Sequence, residues 1–212
     1  MIQGCHFPPE SMTVIYLASR SPRRRELLTQ LGVAHDVLLF APAAPGVDDE
    51  PQLPGEAAAD YVRRTARDKA WQGAHALAQR QLPLRPVLAA DTTVILDGQV
   101  LGKPRDRADA IDMLRRLSGA THQVHTALAL VDGDRLREDV SITDVVFDTL
   151  SDAQIAAYCD SGDPYDKAGA YGIQSGAGRF VSRIDGSFTG VMGLPLFETA
   201  RLLAQLDNRE TS

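Results

Sequence analysis

The sequence predicts an α/β protein built on a mixed central sheet flanked by helices. Three observations carry this. Strand-like and helix-like segments alternate along the chain, a pattern that builds sheets covered by helices. Two long runs, HQVHTALALV and VSITDVVFDTL, flank an Asp132-Gly133-Asp134 turn, so part of the sheet is an antiparallel hairpin and a clean doubly wound fold is excluded. The 212 residues, 44% of them hydrophobic, suffice for a sizeable core and are too apolar for a disordered chain.

The elements follow in order. Residues 13–18 (TVIYLA) are a short β-branched and aromatic run, a buried strand. Pro22 opens a helix that continues to Leu31, with Ser21 as its cap. Residues 34–40 (AHDVLLF) form a second strand, and residues 41–55, with six prolines or glycines and three consecutive acids, form a loop. A long Ala- and Arg-rich helix runs from Glu56 to about Arg80. Residues 86–95 (PVLAADTTVI) form a central strand that Asp97-Gly98 turns into a short partner, Val100-Leu101. Ala110, Ile111, Leu114 and Leu117 share one face of a helix over 106–118. After the hairpin, Ser151 caps a helix through Cys159, and residues 161–178, with five glycines, are irregular. FVSRI is a strand, and residues 193–206 form the last helix. No repeat, coiled coil or low-complexity tract is present.

Composition narrows the function. A net charge of −6 argues against binding nucleic acid through the general surface, and no nucleic-acid partner is expected. No apolar run reaches the roughly 18 residues of a membrane span, and the N-terminus lacks the basic and apolar regions of a secretory signal. Cys5 and Cys159 stand far apart and in no CxxC pair, which speaks against a disulfide framework or thiolate zinc site and for the reducing cytoplasm. Residues 1–12 lack periodicity. They are expected to be a disordered terminus or, with Met12 as the natural start, an extension. Residues 207–212 are expected to be a tail, leaving 13–206 as the domain.

Four features suggest chemistry. In Ser19-Arg20-Ser21-Pro22-Arg23-Arg24-Arg25 a strand runs through a Ser-rich turn into a helix start. Free N–H groups, the positive dipole end and guanidinium forks suit phosphate there, although successive arginines point about 100° apart and cannot all face one ligand. The motif is not a Walker A loop, since the glycines and the Lys-Ser/Thr pair are absent. Asp91 ends the apolar run VLAA, where a carboxylate is either satisfied by backbone donors or is a metal ligand or general base. Asp48-Asp49-Glu50 is a solvated acidic run that, beside a phosphate site, could help hold a divalent cation. Lys69 lies on the seam of the Val62/Ala66 face, and with Lys103 and Lys167 would match a polyphosphate; alone it is a snorkelling lysine. His122 and His125, three apart on a strand, face opposite sides and are given no role.

At these residues the chain resembles a known family. LASRSPRRRELLTQLG, DEPQLPGEAAADYVRRTARDKA, LAADTTVILDGQVLGKPRD, LSGATHQVHTALAL and DPYDKAGAYGIQSGAGRFVSRIDGSFTGVMGLPL, in this order and spacing, look like the Maf family of nucleotide pyrophosphatases over about residues 13–206. The resemblance implies a Maf/ITPase-like fold of two lobes with a cleft, a cytoplasmic location and a possible homodimer. It implies hydrolysis of nucleoside triphosphates to monophosphate and pyrophosphate with a divalent metal, Mg²⁺ or Mn²⁺, and a house-cleaning role against modified pyrimidine nucleotides. The family is also tied to septum formation, so a nucleotide-sensing regulator of cell division without turnover is the alternative.

Residue by residue, Asp91, Glu50, Lys69 and Lys103 match the family's catalytic set, with Asp91 and Glu50 toward metal. Ser19, Arg23, Arg24, Thr92 and Gln174 match its substrate-binding set. Arg23, Thr92 and Gln174 place the chain with the dTTP/UTP branch; the branch acting on 7-methyl-GTP carries Trp, Gln and Glu there. A Gln side chain donates and accepts at once, which suits the O4 and N3–H edge of thymine or uracil, whereas a carboxylate only accepts. Asp91 resembles the family's proton acceptor. A metal-bound water is far more acidic than bulk water, so the same carboxylate could hold metal, orient that water, or both.

Overall fold

A computed structural model describes residues 14–40 and 50–207. The expectations for residues 1–12, for most of the 41–55 loop and for all of the tail except Asp207 lie outside the described residues. The described residues hold seven strands in one mixed sheet, in the order β2 (His35–Val37), β1 (Ile15–Leu17), β3 (Val87–Leu96), β5 (Thr121–Asp132), β6 (Arg135–Phe147) and β7 (Val181–Asp185), with β4 (Gln99–Leu101) paired to β3 off this path. The first strand, β1 (Ile15–Leu17), is fully buried and runs parallel to β2 (His35–Val37) and β3 (Val87–Leu96). Between β1 and β2 lies α1 (Pro22–Gln30), which has Pro22 at its first position and the Ser21 hydroxyl accepting from the Arg24 N–H at 3.4 Å.

β3 is central and buried on both faces, which explains its continuous apolar run. Alternate residues face opposite ways. Val87 and Ala89 pack with Ala127 and Ala129 against Val62, Ala66 and Ala70 of α2 (Ala58–Gln79). Leu88 and Ala90 pack with Leu128 and Leu130 against Leu27 and Leu28 of α1 and Leu202 of the last helix. The other half of β3 belongs to a second lobe. There Val94 and Leu96 join Leu114, Val124, Phe147, Tyr158 and Phe180 in a separate apolar cluster. That lobe holds α3 (Arg107–Leu117) and α4 (Asp152–Asp160).

The cleft follows from strand lengths. β1 pairs with β3 only as far as Leu88, and β4 (Gln99–Leu101) begins pairing at Val94. Between them one edge of β3 has no strand partner among the described residues. Asp91, Thr92 and Thr93 lie on this stretch.

Several boundaries differ from the sequence expectations. The hairpin is longer than its apolar runs, β5 (Thr121–Asp132) against β6 (Arg135–Phe147), because the polar Arg135–Asp139 stretch continues the ladder to the Asp132↔Arg135 pair. The second strand keeps three residues of the expected seven. The long helix begins at Ala58, since Glu56 is drawn into side-chain bonding. Ser151 caps α4 in a full capping box with Gln154. The irregular 161–178 stretch contains 3₁₀ turns at Asp163–Asp166 and Ala168–Ala170, and a third, Gly176–Phe180, leads into β7 (Val181–Asp185). The last helix, expected over 193–206, is α6 (Leu196–Asp207) and starts three residues later; a short helix not read from the sequence, α5 (Phe188–Val191), precedes it. Gly193 at φ +108 and Pro195, which lacks an N–H, do not continue a helix.

Candidate active site

A cleft of about 940 Å³ opens at the free edge of β3 between the lobes. Ser19, Arg23, Arg24, Glu50, Lys69, Asp91, Thr92, Lys103 and Gln174 all line it, so the fold brings the whole expected set together.

On the α2 side, Lys69 lies between two carboxylates. Its ammonium is 2.7 Å from Asp91 Oδ1 and 2.8 Å from Glu50 Oε2. The Thr93 hydroxyl reaches the other Asp91 oxygen at 3.4 Å. Lys69 can stand so close to the sheet because its neighbours on that helix face, Ala66, Ala70 and Gly73, are small. Glu50 is held by a clamp of the chain before α2. Tyr61 donates to the Glu50 carbonyl at 3.0 Å, and Arg64 binds Glu56 through Nε at 2.7 Å and Nη2 at 2.9 Å. The Arg64 guanidinium, with the Leu53 N–H, holds the Glu56 carboxyl down at about 2.

On the α1 side stands Arg24. Its Nε donates to the Gly193 carbonyl at 2.7 Å, Nη2 to the Thr92 hydroxyl at 3.1 Å and Nη1 to Ser19 Oγ at 3.4 Å. All three partners are neutral. Burial pulls its pKa down, while the fields of Asp91 and Glu50 oppose that shift. A largely desolvated guanidinium with neutral partners is suited to an anion. Arg23 takes a different direction, as helical spacing requires, and lies 3.8 Å from Asp166 at the cleft rim. Arg25 is exposed. Lys103 is exposed on the rim after β4, and no acid among the described residues pairs with it.

Lys167 is a correction. It lines the cleft, but its ammonium is bound to the Asp163 carbonyl, to Asp163 Oδ1 at 3.1 Å and to Asp166 Oδ1 at 2.6 Å. It therefore braces the loop and does not complete a phosphate set. Asp163 also accepts from Tyr158 and Ser175, and the latter adjoins Gln174. Sequence reasoning missed this hub and the Tyr61 and Arg64 clamp; the only prior signal was their place inside the longest motifs. The two histidines do face opposite ways. His122 bonds Tyr171 at 2.7 Å inside the second lobe, whereas His125 bonds Gln123 at 3.1 Å.

The donor set suits a divalent cation in one specific way. Asp91 and Glu50 share a single ammonium and so flank one cation position with hard oxygen donors. Among the described residues no group of three or more His, Cys, Asp or Glu could hold a metal. Two carboxylates with the remaining ligands drawn from substrate phosphates is the usual manner of Mg²⁺.

A family model, that of Maf-like proteins, matches residues 14–206. The chain belongs to the Maf family. Among its relatives, the dTTP/UTP pyrophosphatase of Bordetella parapertussis is 67% identical over 189 residues, covering 89% of this chain and 90% of the relative. The dTTP/UTP pyrophosphatase of Bordetella avium is 66% identical over 189 residues, 89% of this chain and 93% of the relative. That of Aromatoleum aromaticum is 54% identical over 192 residues, again 89% and 93%. The solved Ham1 protein of Staphylococcus aureus aligns with a TM-score of 0.41 at 15% identity, over 63% of this Maf chain and 71% of that one, too loosely to carry an argument.

Proposed function

We propose that this Maf protein hydrolyses dTTP and UTP to the nucleoside monophosphate and pyrophosphate. The observation that carries the reading is one cleft with carboxylates on one wall and, on the other, a half-buried arginine held by neutral partners. The relatives named dTTP/UTP pyrophosphatase support the substrate class.

In this reading Arg24, Ser19 and the N–H groups opening α1 bind phosphate oxygens, and Arg23 closes on them from the rim. Asp91 accepts or orients the proton of the attacking water. Water oxygen bonds to the α-phosphorus, the bond to the bridging oxygen breaks, and pyrophosphate leaves. Lys69 and Lys103 stabilise charge growing on the α-phosphate and on the leaving group. Asp91 and Glu50 would hold Mg²⁺ or Mn²⁺, which supplies charge neutralisation and a more acidic water when bound. Gln174 meets the base edge. No helix of the described residues is long and apolar enough to cross a membrane. On the resemblance to its family alone, we take the enzyme to act in the cytoplasm, as a homodimer.

A nucleotide panel assayed with Mg²⁺, with Mn²⁺ and with chelator tests this. We expect metal-dependent turnover of dTTP and UTP and far weaker turnover of 7-methyl-GTP. Preference for the methylated purine, or nucleotide binding without turnover, would overturn it; the latter would support a sensing role.

A further inference from the structure

We infer that Thr126, a fully buried residue in the middle of β5, is a positioning residue that fixes Arg24 through the Thr92 hydroxyl. The inference rests on the proposed function and names a part of that site which lies out of reach of substrate.

The geometry is a chain of hydrogen bonds whose direction is forced. A guanidinium only donates, so Arg24 Nη2 gives its proton to Thr92 Oγ1 at 3.1 Å. A carbonyl only accepts, so Thr126 Oγ1 gives its proton to the Gly190 carbonyl at 2.8 Å. The two hydroxyls are 3.0 Å apart, and the one remaining proton, that of Thr92, must run to Thr126. Each hydroxyl has one proton, and both are committed. The Thr92 hydroxyl therefore serves Arg24 and has no proton left for a base.

The far end of the relay returns to the same arginine. Gly190 and Gly193 belong to one turn, closed by the Gly193 N–H on the Gly190 carbonyl at 2.9 Å. Gly193 in turn accepts from Arg24 Nε at 2.7 Å. The guanidinium is thus held at two nitrogens by one segment, directly and through two threonines. A Cβ on Gly193 would stand 3.4 Å from both Arg24 Nε and Thr92 Oγ1, so the turn also sets the spacing. Of five guanidinium donors, three have partners among the described residues, which leaves one N–H on each terminal nitrogen for a phosphate. A small displacement of such a group is expensive in rate.

The test uses dTTP hydrolysis by the full chain and four variants. Thr126→Val keeps the shape and removes the hydroxyl; Thr126→Ser keeps the hydroxyl. We expect Thr126→Val to lose roughly tenfold or more in kcat/KM, by analogy with other misplaced binding groups, and Thr126→Ser to restore most of it. In an Arg24→Lys background, Thr126→Val is expected to add little, because the donor it positions is gone. Wild-type kinetics in folded Thr126→Val, loss in Thr126→Ser equal to that in Thr126→Val, or a full additive loss in the Arg24→Lys background would each overturn the relay. Should Thr126→Val not fold, Thr92→Val breaks the relay one bond nearer Arg24, with the same expected loss and the same overturning result. Wild-type protein inert toward dTTP would instead overturn the proposed function.

Discussion

Lys69 holds the two carboxylates of the cleft through one ammonium, and removing either acid changes the charge seen by the others. In the proposed function Asp91 is the acid that accepts or orients the proton of the attacking water. Asp91→Asn keeps the shape of the side chain and leaves Lys69 paired with Glu50, so the fold is expected to persist. We expect kcat for dTTP to fall by about 10² or more with the melting temperature nearly unchanged. A variant turning over near the wild-type rate would show Asp91 to be structural. His122 offers a test of a different kind. Burial holds its pKa down to about 4, against an ordinary 6.5. Between these values the unfolded chain takes up a proton that the folded chain refuses. The stabilisation is complete above about pH 6.5 and is lost as pH falls toward 4, to the extent of up to about 3 kcal/mol. Chemical denaturation from pH 7 to 4.5 is expected to show a shallower acid loss in His122→Gln than in wild type; parallel curves would contradict the assignment.

Among the elements, α2 shows how small residues place a functional group. A Cβ added to Gly73 would stand 2.6 Å from Val87 Cγ1, so the helix backbone passes close to β3 there. Gly73→Ala gains helix propensity and loses that approach. Overpacking is expected to win, with a net loss of about 1–3 kcal/mol, read as a drop in melting temperature of several degrees. A stabilised variant would mean the contact relaxes freely. β1, α1, α2 and β3 were legible in the sequence from local signals: apolar runs for the two strands, Ser21 and Pro22 for the start of α1, and an Ala- and Arg-rich composition for α2. The polar half of β6 and the short helix α5 were not legible in the same way. The first is a polar stretch that pairs across the hairpin turn with residues 128–132 and has no apolar run of its own, and the second is too short, at four residues, to show a periodic pattern.

At the scale of the whole molecule, the cleft exists because β1 stops short and β4 starts late along β3. Its chemistry is drawn from segments distant in sequence, which explains what was and was not foreseen. The residues Ser19, Arg24, Asp91 and Gln174 sit in motifs long enough to be noticed singly. That Lys69 joins Glu50 to Asp91, and that Lys167 is turned onto Asp163, are facts of assembly that no local pattern contains. Thr126 was invisible for a further reason: in a strand a threonine is an ordinary β-branched residue. In the proposed function this cleft breaks the bond between the α-phosphorus and the bridging oxygen of a pyrimidine nucleoside triphosphate. The most direct measurement is ³¹P spectroscopy of dTTP incubated with the enzyme and Mg²⁺. The expected products are dTMP and pyrophosphate in equal amounts. Orthophosphate with dTDP would contradict attack at the α-phosphorus.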